Sequence, residues 1–191
     1  MALSPIYAGH RYGSIQAAHC LEAYLDYVEV LPYLDSEHSN KVQFIFRHQV
    51  QPWHPSSTIV HEAALAVEKV DKTKFFEFSA NLFESQRDYY DESVQALNRD
   101  QINNKLAKLA ESVGISSSDF LAQLHIPSTD DPSTARNVGN KITNDLKLQI
   151  KLGRQEGIHV SPTVLWDGLV DNNVSSGWTL DQWKEWLADK I

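Results

Sequence analysis

The stretch Gly157-Ile158-His159-Val160-Ser161-Pro162-Thr163-Val164-Leu165-Trp166-Asp167-Gly168 reads as a proline opening a β-strand. Proline cannot donate to a strand ladder, so ahead of an apolar, β-branched run it fits only at the first residue or on an edge. Asp167-Gly168, followed by Leu169-Val170, supplies the positive-φ pair of a two-residue hairpin turn. Residues 179–191 then show helical periodicity, with Thr179 at the cap, Gln182 at the capping-box position and Leu180, Trp183 and Leu187 as the buried stripe. The end of the chain therefore reads proline, strand, turn, strand, helix.

Upstream, Lys41-Val42-Gln43-Phe44-Ile45-Phe46-Arg47 is apolar on both faces, the pattern of a buried parallel strand. An earlier strand is expected over 21–27, where aromatic and branched residues alternate imperfectly and a helix is the competing reading. Residues 1–16 carry Gly9, Gly13 and Ser14 without periodicity and read as a loose lead-in. After the second strand, Gln51-Pro52-Trp53-His54-Pro55 holds a Trp-His pair between two prolines, and a long, mainly helical region follows. Its apolar stripes run through Ile59, Ala63, Val67 and Val70, then Phe75, Phe78, Leu82 and Phe83. A helix over 97–113 closes at Gly114, a short one starts near Ser116, and Val138, Ile142, Leu146 and Ile150 give the last a single buried stripe.

The 191 residues suit one domain, or a core domain with a large insertion. A net charge of −8, with 17 basic residues that do not cluster, argues against nucleic acid as a partner. No apolar run approaches membrane-spanning length and the first fourteen residues lack a signal-like core, so the expectation is a cytoplasmic protein without membrane contact. Cys20 is the only cysteine, which excludes an intrachain disulfide, a Cys-x-x-Cys pair and a cysteine-based zinc site. His48, His54 and His61 match no compact zinc spacing, and His61-Glu62 lacks the second histidine of a zincin helix, so no metal is expected.

Two strands, about a hundred mainly helical residues, a strand hairpin and a final helix resemble the DsbA-like branch of the thioredoxin fold. The residues that carry the resemblance are the Ser161-Pro162-Thr163 step, Tyr24-Leu25-Asp26-Tyr27, and Val42-Gln43-Phe44-Ile45-Phe46-Arg47 with Gln51-Pro52-Trp53-His54-Pro55-Ser56-Ser57. The last pair is similar to a eukaryotic, largely fungal-looking subgroup, related to the kappa-class glutathione transferases. The resemblance implies an α/β thioredoxin-like core over 1–56 and 157–191, with a helical insertion over 57–156 between the second and third strands. It also implies thiol-disulfide oxidoreductase ancestry and a cis-proline at Pro162.

The chain departs from that family where a Cys-Pro-x-Cys or Cys-Pro-x-Ser turn should follow the first strand and open a helix. Tyr27-Val28 runs instead into Glu29-Val30-Leu31-Pro32-Tyr33-Leu34-Asp35. In one register Leu31-Pro32-Tyr33-Leu34 occupies the turn, leaving only 35–40 for the crossover helix. In the other, 29–34 is the end of that helix and the motif is missing between Val28 and Glu29. The second is preferred, because a parallel crossover usually needs about a dozen residues. It implies a shortened isoform or degenerate relative in which Pro32 interrupts a stunted helix, and whose reduced core would either unfold or be forced into a homodimer.

Cys20, placed ahead of the first strand, reads as a buried or incidental thiol without a partner, and no catalytic residue is assigned. The candidate binding residues are Val160, Ser161 and Pro162 at the strand entrance, with Trp53 and His54 overhanging them. Against this stands the plainer reading of Trp53 as a packing residue. Two functions follow from the resemblance. One is a redox-inactive module pairing with an extended peptide or thiol-containing small molecule. The other is a glutathione-dependent oxidoreductase, transferase or isomerase, with glutathione as ligand and its thiol held by Ser14 or Ser161.

Overall fold

The computed structural model describes residues 9–24, 30–128, 131, 133 and 137–191. Strands β1 (His10–Tyr12), β2 (His19–Tyr24), β3 (Val42–Phe46), β4 (Thr163–Trp166) and β5 (Leu169–Asp171) form one sheet in the order β1-β3-β2-β4-β5. The β2–β3 pair is parallel, while β1 on β3, β4 on β2 and β5 on β4 are antiparallel. Directly paired residues share a face, so Leu21, Ala23, Phe44, Phe46 and Val164 line one side, and Cys20, Glu22, Gln43, Ile45 and Leu165 the other. Every residue of β3 is buried, as its two-faced apolar sequence demands.

The lead-in is not loose throughout. His10, Arg11 and Tyr12 pair with Phe46, Ile45 and Phe44, covering the edge of β3 that β2 leaves open. Three residues are too few to show periodicity, and the strand is set by its neighbours. Gly9 at φ +65° turns the chain into it, and a Cβ there would fall 2.6 Å from Nη1 of Arg47. The next strand begins at His19 rather than at residue 21, so Cys20 lies inside it. The part of that expected strand beyond Tyr24, with Leu25, Asp26, Tyr27 and the proposed break between Val28 and Glu29, lies outside the described residues.

The crossover to β3 corrects the preferred register. Helix α1 (Leu31–His38) starts at Leu31, so Leu31-Pro32-Tyr33-Leu34 is its first turn and not the end of an interrupted helix. Pro32 stands where a helix has no use for the missing N–H, and therefore breaks nothing. Among the described residues between β2 and β3, α1 makes two turns of helix. Lys184, from helix α8 (Leu180–Ala188), lies over the Tyr33 ring at 5.5 Å. The capping box of α8, Thr179 with Gln182, is formed, and Trp183, Trp186 and Leu187 are its buried residues.

The chain divides into two units, Met1–Gln49 with Gln149–Ile191, and Val50–Leu148. The second is helical: α2 (Ser57–Val70), α3 (Phe75–Glu84), α4 (Asp91–Val94), α5 (Arg99–Ser112), α6 (Ser117–Leu124) and the start of α7 (Thr143–Gln155). Helix α2 contacts α3, α5 and α6 and buries a continuous run from Glu62 to Val67. The Glu62 carboxylate is paired with Arg99 of α5, whose N-terminus carries the Asn98–Gln101 capping box. Gly114, at φ +85°, follows the end of α5 as the sequence indicates. Val138 does not join the α7 stripe: it precedes the helix and is 49% exposed, whereas Ile142 and Leu146 are buried.

An ion pair is buried in the sheet unit. The Arg47 Nε donates to Glu22 Oε2 at 2.8 Å and its Nη2 lies 2.7 Å from the same oxygen, with the Arg47 side chain fully buried. An unpaired buried charge is far more costly than the pair. Arg47→Met, leaving the Glu22 carboxylate without its cation, is expected to lower unfolding free energy by about 3–5 kcal/mol in chemical denaturation, with Glu22→Gln/Arg47→Met recovering part of it.

Candidate functional site

At the entrance of β4, Pro162 directly precedes the first strand residue, Thr163. The Ser161–Pro162 bond is cis, Ser161 and Pro162 are half-buried, and Val160 is 58% exposed. The Thr163 Oγ1 donates to the Val160 carbonyl at 2.8 Å, which fixes the turn into the strand. Because Thr163 pairs with Tyr24, the 160–162 segment enters beside the C-terminal end of β2. His159 is exposed just ahead of it.

The other side of such a site should be the first turn of the crossover helix. Here that turn contains Leu31, Pro32, Tyr33 and Leu34 and no sulfur. Val30 at the cap offers no side-chain acceptor, Leu34 is buried, and the Tyr33 hydroxyl lies 3.1 Å from His38 Nε2. Ser14, considered as a thiol partner, accepts from the Gln16 N–H at 3.1 Å.

The single thiol lies on β2, on the sheet face of Glu22. Burial, reinforced by the Glu22 carboxylate and opposed by Arg47, pushes it up to about 11. A thiolate at neutral pH is thereby disfavoured, opposite to what a nucleophilic cysteine needs.

What the sequence reading missed is the role of Asp167. It sits in the hairpin turn at φ +49° with Gly168 at +83°, the expected two-residue geometry. Its carboxylate also spans to β2: Oδ1 accepts the Cys20 N–H at 2.7 Å and Oδ2 lies 2.9 Å from His19 Nδ1, while the His19 ring stacks on Trp166. Burial pushes the Asp167 carboxyl up, but the His19 bond, the Cys20 N–H and the His19 charge outweigh it and hold the group below the ordinary range. The only sequence signal was an acidic residue before glycine in a hairpin. A second buried polar pair, His10 and His48 with Nε2 atoms 2.8 Å apart, had none.

Trp53 and His54 lie in the helical unit. Trp53 is 64% exposed and is no packing residue, and His54 Nδ1 is 3.0 Å from Oδ2 of Asp91. Among the described residues no three His, Cys, Asp or Glu side chains converge as a metal site, and no helix is long and apolar enough to cross a membrane.

No family model matches the chain, and no curated protein matches its sequence. Solved structures do. A proposed protein-disulfide isomerase from Pseudomonas syringae superposes with a TM-score of 0.72 at 19% identity, covering 95% of this chain and 97% of that one. BdbD from Bacillus subtilis gives 0.70 at 18%, over 97% and 94%. A periplasmic thioredoxin-like protein from Salmonella enterica serovar Typhimurium gives 0.56 at 15%, over 96% and 90%. The chain therefore has a thioredoxin-like α/β fold with a large helical insertion, of DsbA-like architecture, and carries one cysteine where a Cys-x-x-Cys pair would need two. The cytoplasmic expectation is corrected by the same comparison, since the fold is shared with a periplasmic protein. Composition and the lack of an apolar run had no bearing on compartment.

Two measurements check these geometries. Iodoacetamide should alkylate Cys20 at pH 8 about 100-fold more slowly than an unperturbed thiol, with the rate still rising at pH 10. Asp167 contributes stability above its unfolded value of about 3.9 that is lost as pH falls through its lower folded value. The thermal midpoint of the parent should therefore fall below pH 4, and Asp167→Asn should flatten that part of the profile.

Proposed function

We propose that this chain is a redox-inactive binding module of thiol-disulfide oxidoreductase ancestry, which holds an extended peptide or a thiol-containing small molecule against the 160–162 segment. The observation that carries the reading is the pairing of a cis-Pro162 strand entrance with a crossover helix whose first turn, Leu31-Pro32-Tyr33-Leu34, has no nucleophile. The elevated Cys20 thiol supports the same conclusion, because it sits in mid-strand and resists ionisation. Ser161 and the exposed Val160 supply backbone groups and an apolar side chain beside the end of β2, the chemistry of strand-like peptide pairing. In this reading the core is 1–56 with 157–191 and the insertion 57–156. The Val42–Phe46 strand and the loop after it favour the fungal-type subgroup with kappa-class kinship.

Titration with reduced, carboxamidomethylated ribonuclease, an extended chain without free thiols, tests the module. Binding is expected, weakened about tenfold by Val160→Asp, with no turnover in insulin reduction. Insulin reduction abolished by Cys20→Ser, or glutathione conjugation by the parent, would replace the module by an enzyme. Size-exclusion chromatography of the same samples reports whether the binding species is a homodimer.

A further inference from the structure

Among the exposed large hydrophobic side chains described, Trp53 at 64% and Tyr90 at 52% are the only aromatic ones. Exposed aromatics of this size are uncommon on a surface without a partner and are the side chains that dominate interfaces. Both sit on one clamp in the helical unit. The His54 ring, edge-on to Trp53 at 6.4 Å between centroids, is held by Asp91 at 3.0 Å, and Ser56 Oγ donates to the Tyr89 carbonyl at 2.6 Å. Two bonds thus fix the 53–56 loop against the 89–91 segment, with Tyr90 between their anchor points, and Tyr90 itself is steadied by its hydroxyl on Gln86 at 3.0 Å.

The charges around the clamp select a partner. Asp88, Asp91 and Glu92 are exposed, with Arg87 as the neighbouring cation. Lys105 is already engaged, donating to the Asp88 carbonyl at 3.0 Å and lying over the Tyr89 ring at 5.3 Å. Aromatic faces beside an excess of carboxylates attract a planar cation, which the ring binds by its quadrupole and the acids by charge.

We propose that the Trp53–Tyr90 clamp is a docking surface for a partner segment carrying arginine, with Asp88, Asp91 and Glu92 as its charge complement. It does not rest on the 160–162 reading, since every residue it uses lies within 50–148.

A fluorescein-labelled Arg-Gly repeat peptide, followed by anisotropy on the full chain, tests it against an uncharged citrulline-Gly peptide of the same shape. The Arg-Gly peptide should bind the parent about tenfold more tightly than the citrulline peptide. Trp53→Ala should weaken binding about tenfold, and Tyr90→Ala and Asp88→Asn/Glu92→Gln about three- to fivefold each. Glu185→Gln, a carboxylate on α8, should leave it unchanged, which separates this surface from the overall negative charge, and the loss from Trp53→Ala should persist in the Val160→Asp background, which separates it from the strand entrance. Near-UV circular dichroism confirms that each variant is folded. Failure of the Arg-Gly peptide to bind, equal binding of the citrulline peptide, or equal effects of Trp53→Ala and Glu185→Gln would each overturn the proposal.

Discussion

The sheet unit depends on one long-range contact, the antiparallel pairing of β4 with β2, closed by the Asp167 carboxylate on the Cys20 N–H. The two strands come from opposite ends of the sequence, so forming the ladder closes a loop that contains the whole helical unit. The entropic cost of that closure grows only with the logarithm of loop length, which is why so large an insertion is tolerable once the strand register is firm. Asp167 makes it firm. A slip of one residue would turn Val164 and Trp166 to the opposite face and leave the carboxylate without its two partners.

Around that ladder the two faces of the sheet are treated differently. One is closed with Leu21, Ala23, Phe44, Phe46 and Val164, all buried. The other combines Ile45 and Leu165 with a buried Glu22 that only Arg47 makes acceptable. The thiol of Cys20 shares that face, and its resistance to ionisation follows from the same low-dielectric, carboxylate-bearing environment. Fold and chemistry are thus linked: the setting that keeps β2 central to the sheet also favours the protonated form of its cysteine. Asp171 performs a similar service on β5, accepting from Trp186 Nε1 at 3.0 Å and meeting Lys190 at 3.1 Å, which ties α8 to the hairpin.

Local signals were readable where local chemistry is decisive. A proline before a β-branched run, an Asp-Gly turn, the Thr179–Gln182 cap and the glycine after α5 each have one cheap conformation, and each was found where the sequence placed it. The Leu31-Pro32 start of α1 was legible in principle, since proline is at home in a first helical turn. Crossover length points the other way, because a parallel connection usually needs about a dozen residues, but the position of the proline is the decisive signal. Strand β1 was not legible at all: three residues carry no period, and only the open edge of β3 made them a strand.

By itself the sequence determined the order of the main elements from β3 onward, the helical insertion and the lack of a second cysteine, because periodicity, turn residues and composition are properties of neighbours along the chain. Tertiary structure alone decided which polar residues meet. Glu22 with Arg47, His10 with His48, Asp167 with Cys20 and His54 with Asp91 are separated by tens of residues or more, and no local preference brings them together. Their pairing follows from strand register and helix packing, which fix side chains in space only after the apolar surfaces have been buried.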